Sequence, residues 1–422
     1  MQPTVLTDLD RFIAPAALQP SFQPIVDLAT RDVVAFEALA RWPDLHDATP
    51  DAVFALARQN GRTAELDWAC RIAAMEEALA RGLGCDHMLF VNVEPAALAT
   101  AGPEGFELVV AAAHRDLRVM LELTERALTD HPAELLRLVG WARQRGWSVA
   151  LDDVGAAPES LALLPLLAPD VIKLDVTLVE RRPTAVQASV MAAVMAHSER
   201  TGAVILAEGI ETPAHLDQAL ALGATLGQGW LFGRPGPLVV PPAPAVPIPV
   251  TRRQAPVAET PFELLDARTT RVGRKGLLLD LSHHIETKGL QLEPAPIVIS
   301  AFQTAERFTA STVERYRALA ARCPLVAALA VGLEPESTPG VHGGIIAASD
   351  ALSREWTVTV VGPHYAAALI ALDLGDDGPD HDRRFEFTVT HDRDLVLEAA
   401  RSLMARIVTD ELGTTDDAAT GR

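Results

Sequence analysis

The first half of the chain alternates short apolar runs with longer segments whose apolar residues recur at helical spacing. The runs predict strands at Ser21–Ile25, Val33–Ala38, Leu89–Val93, Val119–Leu123, Ser148–Asp152, Val171–Leu174, Val204–Ala207 and around Leu226–Leu231. The segments between them predict helices, among them Asp51–Ala57, Ala64–Ala80, Pro132–Arg145, Ser160–Leu167, Ala185–Thr201 and Pro213–Leu222. Continuous apolar strands alternating with helices indicate a parallel sheet covered on both faces, and about eight repeats fit a (β/α)8 barrel of the TIM type. Only a turn at 27–32 separates the first two strands, so we expect the barrel to open with a hairpin.

A proline-rich stretch, VVPPAPAVPIPVTRRQAP at 239–256, divides the chain and predicts a semi-rigid, extended linker. We therefore assign residues 1–238 to the barrel, 257–410 to a second domain and 411–422 to a disordered tail. The second domain has strand-like runs at Pro296–Phe302, Leu325–Val331, Thr357–Val361, Ala366–Leu372 and Phe385–Val389. Helical patterns cover Leu277–Thr287, Thr312–Arg322 and Arg393–Thr409. The fold class expected is α/β, a barrel followed by a smaller mixed α/β domain.

Composition limits the partners of this protein. The net charge of -20 repels the phosphates of nucleic acids and of anionic membranes, so we expect no DNA partner. No apolar run reaches the roughly 18–20 residues of a membrane span. The three cysteines form no CxxC pair, and the N-terminus lacks the basic and apolar regions of a signal peptide. We expect a cytoplasmic protein without disulfides.

Polar residues suited to metal chemistry stand at or beside the ends of the predicted barrel strands. They are Glu37, Asn92, Glu122, the pair Asp152-Asp153, Lys173 and Glu208. The carboxyl ends of the strands meet at one rim of such a barrel, and carboxylates there are costly to bury unless a cation compensates them. Three carboxylates and one amide oxygen favour Mg²⁺ or Mn²⁺ over zinc, and adjacent aspartates can serve two ions. Lys173 would then position an attacking water, and Glu208 would orient it or accept its proton.

The motifs that contain these residues resemble the EAL family of cyclic di-GMP phosphodiesterases. Seven of them follow in the family's order, namely EAL at 37–39, NVEP at 92–95, ELTE at 122–125, DD at 152–153, IKLD at 172–175, AEGIET at 207–212 and GQG at 227–229. The resemblance implies an EAL-type barrel that binds cyclic di-GMP and hydrolyses one phosphodiester to give linear pGpG. It also implies two divalent ions, Mg²⁺ or Mn²⁺, and a homodimer formed through the barrel.

The resemblance further implies a role for each position. Glu37, Asn92, Glu122 and Asp152 would hold one metal, Asp152 would bridge, and Asp153 would help to hold the second. Lys173 would contact the nucleophilic water, Glu208 would act as general base or indirect ligand, and Gln228 would bind near this network. Arg41, placed one helical turn beyond Glu37, would meet a substrate phosphate. Glu125 would brace the loop after Asp153, and Glu211 would give similar support or favour a helix N-terminus by its charge.

The chain departs from the family after Asp153. Fully active members read DDFGTG, whereas residues 152–160 here read DDVGAAPES. Ala157 replaces a glycine that reaches positive φ easily, and Pro158 stiffens the segment and restricts the residue before it. We therefore expect binding of cyclic di-GMP with low turnover. One alternative is a receptor that binds the dinucleotide and rarely cleaves it. A second is a scaffold that has lost both functions, against which the retained carboxylates argue.

The second domain resembles the DICT sensory domain. The stretches that carry this resemblance are GLLLDLSHHIE at 276–286, PIVISAFQTAERFT at 296–309 and RRFEFTVTHDRDLVLEAARSLMARI at 383–407. It implies a sensory or interaction role toward an unknown ligand or signalling partner. His283 and His284 also suggest a metal, but adjacent helical residues point in different directions, which argues against such a site.

Overall fold

The computed structural model describes residues 9–15, 17–44, 49–94, 97, 102–103, 106–124, 132–155, 161–180, 184–242, 247–250, 257–335, 337–376 and 379–407. Eight strands in the first half close into a barrel, and seven strands in the second half form one sheet. This confirms the predicted fold class, an α/β barrel followed by a smaller mixed α/β domain. No helix within these described ranges is both long and apolar enough to cross a membrane.

The barrel strands follow one another around the ring in chain order. They are β1 (Gln19–Asp27), β2 (Val33–Arg41), β3 (Met88–Asn92), β4 (Arg118–Thr124), β5 (Ser148–Val154), β6 (Val171–Leu174), β7 (Val204–Ala207) and β8 (Leu226–Gln228). β1 is antiparallel to both β2 and β8, and the other neighbours are parallel. The expected hairpin opening is therefore confirmed. The Asp27 carboxylate stabilises its turn by accepting hydrogen bonds from the N–H groups of Ala29 and Thr30, at 2.8 and 2.9 Å.

The barrel helices are α1 (Asp10–Ile13), α2 (Pro50–Gln59), α3 (Thr63–Ala80), α4 (Phe106–Asp116), α5 (Pro132–Gln144), α6 (Leu164–Leu167), α7 (Val176–Glu180), α8 (Ala185–Thr201) and α9 (Pro213–Ala221). Helix α8 begins where Thr184 and Gln187 cap each other, and it ends at Gly202, which has a φ of 77°. Helix α6 is much shorter than the predicted 160–167, and Pro165 lies in its first turn.

Ile248 and Val250 of the proline-rich linker pack against the apolar cluster inside the barrel. Ile248 is 3% exposed and contacts the inner cluster that includes Ile25, Phe90 and Met120. The Arg118 guanidinium donates to the Ile248 carbonyl at 3.0 Å. This part of the linker is packed against the barrel, a contact that the sequence did not predict.

The second domain is built on a seven-stranded mixed sheet with the order β12-β11-β10-β13-β14-β15-β9. The strands are β9 (Arg271–Arg274), β10 (Ile297–Thr304), β11 (Val326–Val331), β12 (Ile345–Ile346), β13 (Glu355–Val361), β14 (Ala366–Asp373) and β15 (Arg384–Thr390). The helices are α10 (Lys275–Gly289), α11 (Ala310–Ala320) and α12 (Arg393–Met404). Because side chains alternate along a strand, the two faces of the sheet carry separate cores. Val298 packs with α10 and α11, whereas Ile299 belongs to the core that contains α12.

Helix α12 joins the two domains. Its apolar residues share one continuous core with Leu164–Leu167 of helix α6. Arg401 donates from Nε to the Leu166 carbonyl at 2.7 Å and from Nη2 to the Pro165 carbonyl at 2.8 Å. Short helices leave carbonyl groups without partners inside the helix, and Arg401 supplies two donors for such groups. The second domain therefore contacts the barrel through the helix that follows β5.

Candidate metal and substrate site

The strand register brings the predicted polar residues to one end of the barrel. Asn92 on β3 lies directly opposite Glu122 on β4. Asp152 is paired with Thr124, one strand further around the ring. Because β2 to β8 all run in the same direction, residues near their carboxyl ends face one centre. Lys173 and Gln228 lie at the ends of β6 and β8, and Glu208 follows β7.

Lys173 occupies the middle of this cluster and is fully buried. Its Nζ lies 2.6 Å from Glu122 Oε1, 2.8 Å from Glu208 Oε1 and 2.9 Å from Asp152 Oδ1. Glu37 Oε1 is further away, at 3.8 Å. Burial lowers the pKa of Lys173, but Asp152, Glu122 and the other carboxylates outweigh burial and raise this pKa well above its usual value. One ammonium group therefore faces four carboxyl groups, which leaves an excess of negative charge.

Amide side chains fix the orientation of Glu37. Gln228 Nε2 donates to Glu37 Oε2 at 2.5 Å, and Asn92 Nδ2 donates to Glu37 Oε1 at 3.3 Å. Gln228 also donates to Gln23 Oε1 at 3.2 Å, and Gln23 lies opposite Glu37 in the β1–β2 ladder. Gln23 was not identified from the sequence, because its place in the site depends on the antiparallel register of the hairpin.

Several features of the cluster fit a divalent cation. Glu122 is 1% exposed, its Oε1 lies 2.6 Å from the Lys173 ammonium, and its Oε2 has no hydrogen-bond donor within the described part of the chain. Asp152, Asp153 and Glu208 each offer a carboxylate oxygen, and these oxygens all lie within 4.8 Å of one another. Carboxylate oxygens supplemented by an amide are the ligands that Mg²⁺ and Mn²⁺ prefer. The residues present therefore fit such an ion.

The protonation of the acidic residues reflects the same crowding. Burial, followed by the charge of Glu37, raises the pKa of Glu122 well above its usual value. Burial raises the pKa of Glu208 to about 8, against the opposing effect of Lys173. Burial and the neighbouring Asp152 raise the pKa of Asp153. A bound cation would reverse these shifts, because it favours the ionised carboxylates.

Asp153 adopts an uncommon backbone conformation, with a φ of 58°. Its N–H donates to Asp152 Oδ1 at 3.0 Å, which holds the two aspartates in a fixed relation. Gly155 has a φ of 110°, and a Cβ at this position would lie 2.6 Å from Leu178 Cδ1. Segment 156–160, where the sequence departs from the family, and Glu125, which was expected to brace it, lie outside the described residues.

A cavity of about 290 Å³ opens beside Glu37, and Arg41, Asn92, Glu94 and Thr124 contribute to its walls. Arg41 is the last residue of β2, so the sequence-based placement on a helical turn was wrong. Arg41 still reaches this face, because residues four apart in a strand point to the same side. The cavity is large enough to admit part of a nucleotide-sized ligand.

Two residues that were not identified from the sequence form a buried ion pair in the wall of this cavity. The Arg71 guanidinium contacts Asp67 and lies 3.6 Å from the Trp68 ring centroid. Burial raises the pKa of Asp67 to about 6, and its Oδ1 accepts from the Glu94 N–H at 2.8 Å. The signal that would have identified them is a pair of opposite charges four residues apart on the face of this helix that also carries Leu66 and Ala74.

Glu211 does not join the carboxylate cluster. It is exposed and directly precedes Thr212, whose side chain caps helix α9. The Glu211 N–H donates to His215 Nδ1 at 3.3 Å.

The fold and the site define a protein with an α/β barrel and an acidic, oxygen-rich centre at the carboxyl ends of its strands. Residues 7–235 match the model of the EAL domain, and the chain therefore belongs to the EAL family. Residues 261–374 match the DICT domain, described as a sensory domain in diguanylate cyclases and two-component systems. Both resemblances drawn from the sequence are confirmed.

Relatives with named activities match the barrel half of the chain. Cyclic di-GMP phosphodiesterase NbdA of Pseudomonas aeruginosa is 31% identical over 231 residues, which are 52% of this chain and 29% of that protein. Cyclic di-GMP phosphodiesterase RocR of the same organism is 30% identical over 239 residues, 55% of this chain and 61% of that protein. The barrel also matches a solved structure of Klebsiella pneumoniae BlrP1, a calcium/cy-diGMP complex. The match has a sequence identity of 30% and a TM-score of 0.47, and it covers 56% of this chain and 58% of the BlrP1 chain. The chain thus spans less than two thirds of each of these proteins.

Proposed function

We propose that the barrel hydrolyses one phosphodiester of cyclic di-GMP to give linear pGpG, with the help of two divalent ions, Mg²⁺ or Mn²⁺. The observation that carries this proposal is the convergence of four carboxyl groups on the single ammonium of Lys173, with Glu122 buried and its Oε2 without a hydrogen-bond donor among the described residues. Membership of the EAL family and the names of the relatives support the choice of substrate.

We propose the roles that the family resemblance implies for these side chains. Glu37, Asn92, Glu122 and Asp152 would hold one ion, and Asp153 would help to hold a second. Bound ions in such a site stabilise charge on the phosphate and lower the pKa of water. Gln228 fixes Glu37, and Arg41 at the cavity wall binds a phosphate of the substrate.

Lys173 and Glu208 act on the attacking water. The Lys173 ammonium is held by three carboxylates within 2.9 Å, so it presents a fixed positive charge at the centre. Glu208 lies 2.8 Å from this ammonium and is less buried than Glu122. Glu208 is therefore the carboxylate that we assign to orient the water and accept its proton.

The test is a chromatographic assay of the full chain at enzyme excess, with cyclic di-GMP and first Mg²⁺, then Mn²⁺. We expect linear pGpG from the unaltered chain and none from Glu122→Gln. Glu107→Gln makes the same chemical change on the exposed surface of helix α4 and should leave the product unchanged. Product formation that survives Glu122→Gln would refute the assignment of the site.

A second candidate function is a cyclic di-GMP receptor, and the sequence of segment 154–158 favours it. A receptor would retain the dinucleotide intact under the same assay while binding it measurably. The combined change Val154→Phe, Ala156→Thr and Ala157→Gly restores the family's FGTG. A large rise in turnover would indicate an enzyme limited by this segment, and no rise would indicate that turnover is limited elsewhere.

Regulation of the barrel by the second domain forms part of the proposal. Segment 156–160 connects the Asp152-Asp153 strand covalently to the helix whose carbonyls Arg401 binds. Arg401→Ala removes these two bonds and should change the rate of hydrolysis severalfold. Arg406→Ala, which removes contacts with Ser402 and Asp350 inside the second domain, is the matched control. Equal rates in the two variants would contradict this route.

We also propose a homodimer formed through the barrel, which sedimentation of the full chain tests.

A further inference from the structure

Three basic side chains from separate elements of the second domain converge on one carboxylate, that of Asp380. Lys275 is the first residue of helix α10, Arg307 lies in the turn after β10, and Arg383 directly precedes β15. Lys275 Nζ and Arg307 Nη1 contact the Asp380 oxygens, and Arg383 Nη1 lies 3.4 Å from Oδ1. Three segments distant in sequence therefore meet at this point.

The basic side chains are more buried than the Asp380 carboxylate that they surround. Arg383 also pairs with Asp373, a buried residue that accepts from Gln303 Nε2 at 2.8 Å and from the Gly375 N–H at 2.9 Å. The side chains of Lys275 and Arg383 are 14% and 15% exposed, whereas that of Asp380 is 53% exposed. Asp380 is thus the outermost member of the cluster.

The charges indicate which ligand the cluster would accept. Among the described residues, Asp373 is the other carboxylate that forms an ion pair with Lys275, Arg307 or Arg383, so without Asp380 two of these three cations lack an ion-pair partner there, in a chain of net charge -20. A phosphate group carries about -1.5 to -2 near neutral pH and offers three acceptor oxygens. A carboxylate would leave one of the two positive charges uncompensated.

The start of helix α10 adds to this preference. Its N-cap residue, Arg274, provides no side-chain hydrogen bond to the first turn. The amides of a first turn are donors that favour anions, and Lys275 places its ammonium at the same end. The pKa of Asp380 lies below its usual value because Lys275 hydrogen-bonds to it, which agrees with an electropositive surrounding.

We propose that Lys275, Arg307 and Arg383 form a binding site for the phosphate group of a small molecule, and that Asp380 occupies this site when the ligand is absent. Displacement of Asp380 would break its contacts with Lys275 at the start of helix α10 and with Arg307 after β10. The site is independent of the chemistry proposed for the barrel. The proposal assigns a class of ligand, a phosphate-bearing small molecule, to the DICT domain. The descriptions of the two matched families name no ligand for it.

The experiment titrates inorganic phosphate into the full chain by calorimetry, with a chelator present so that the barrel holds no divalent ion. Asp380→Asn keeps the size of the side chain and removes the competing charge, so it should bind phosphate at least about ten-fold more tightly than the unaltered chain. Asp382→Asn is the matched control, because Asp382 pairs with Arg274 instead. Equal affinities in the two variants would overturn the proposal.

A second variant locates the bound anion. Adding Arg307→Gln to Asp380→Asn should abolish the gain in affinity, and a gain that survives would overturn the proposal, since phosphate would then bind elsewhere. Asp380→Ser provides the same test should the asparagine disturb folding, which circular dichroism detects. Repeating the titration with glycerol phosphate distinguishes the sources. If glycerol phosphate binds more tightly than inorganic phosphate, the site is assigned to an organic phosphate. If the two affinities are equal, the site is assigned to free phosphate, and both results support the anion site.

Discussion

Replacing Lys173 by methionine tests whether its ammonium stabilises the carboxylate cluster. Methionine has a similar length and removes only the charge and the donors. In the absence of metal, Lys173→Met leaves Glu37, Glu122, Asp152 and Glu208 without their central cation. We expect a large loss of stability at pH 7.5 and a smaller loss at pH 5, where the crowded carboxyl groups take up protons.

The magnitude follows from the distances. With an effective dielectric constant near 20, each contact with an ionised carboxylate at 2.6–3.8 Å contributes about 4–6 kcal/mol of attraction, most of which offsets the cost of burial. Breaking a buried pair by removing one partner costs about 3–5 kcal/mol, because it leaves an uncompensated charge. For a domain of this size such a loss lowers the melting temperature by about 6–20 °C.

The assay is thermal unfolding of the full chain, with chelator and then with Mn²⁺. Lys288→Met is the matched control, because Lys288 makes a single side-chain contact at 3.4 Å with Gln291 among the described residues. Mn²⁺ should stabilise Lys173→Met more than the unaltered chain, since the ion replaces the missing positive charge. If Lys173→Met melts at the same temperature as Lys288→Met in chelator at pH 7.5, the Lys173 ammonium does not stabilise the cluster and the reasoning is refuted.

Three further predictions concern stability. Burial raises the pKa of Glu355 to about 7 from a usual 4.5, so between these pH values the unfolded chain releases a proton that the folded chain keeps. The free energy of unfolding should therefore fall by about 3 kcal/mol as the pH rises from 4.5 to 7. Urea titrations of Glu355→Gln should show a weaker dependence on pH, and an unchanged dependence would contradict the prediction. Gly229 has a φ of 154° and a Cβ there would lie 2.2 Å from the Ile210 carbonyl oxygen, so Gly229→Ala should lose about 2–3 kcal/mol in urea unfolding, whereas Gly236→Ala, whose Cβ would come no closer than 4.0 Å to the Arg234 carbonyl oxygen, should change little. Mn²⁺ should raise the melting temperature of the unaltered chain, and Glu122→Gln should remove most of this rise; an equal rise in both would argue that the ion binds elsewhere.

The strands of the barrel were predictable because they are buried on both faces and therefore appear as continuous apolar runs. The predicted bounds of β6 and β7 coincide with those observed. Strand β9 was missed because it is an exposed edge strand, RVGR, without an apolar pattern.

The site was predictable where a residue lies near the carboxyl end of a strand, and unpredictable where register decides its position. Glu122 and Lys173 meet because parallel strands bring their ends to one rim. Arg41 was placed on a helical turn beyond the predicted strand Val33–Ala38, but pairing with Gln19 keeps it in the strand. Gln23 reaches Gln228 only through the closure of the barrel between β1 and β8, which no local pattern encodes.

The burial of Ile248 bears on how the barrel is prepared in isolation. The family match ends at residue 235, and a boundary drawn there or at the start of the prolines would cut away a side chain that seals the barrel at the end opposite the carboxylates. A truncated protein would expose Met120 and its neighbours to water, and weak activity in such a preparation would say little about the intact chain. An expression boundary placed after residue 250 keeps the buried Ile248 side chain and the hydrogen bond that Arg118 donates to its carbonyl.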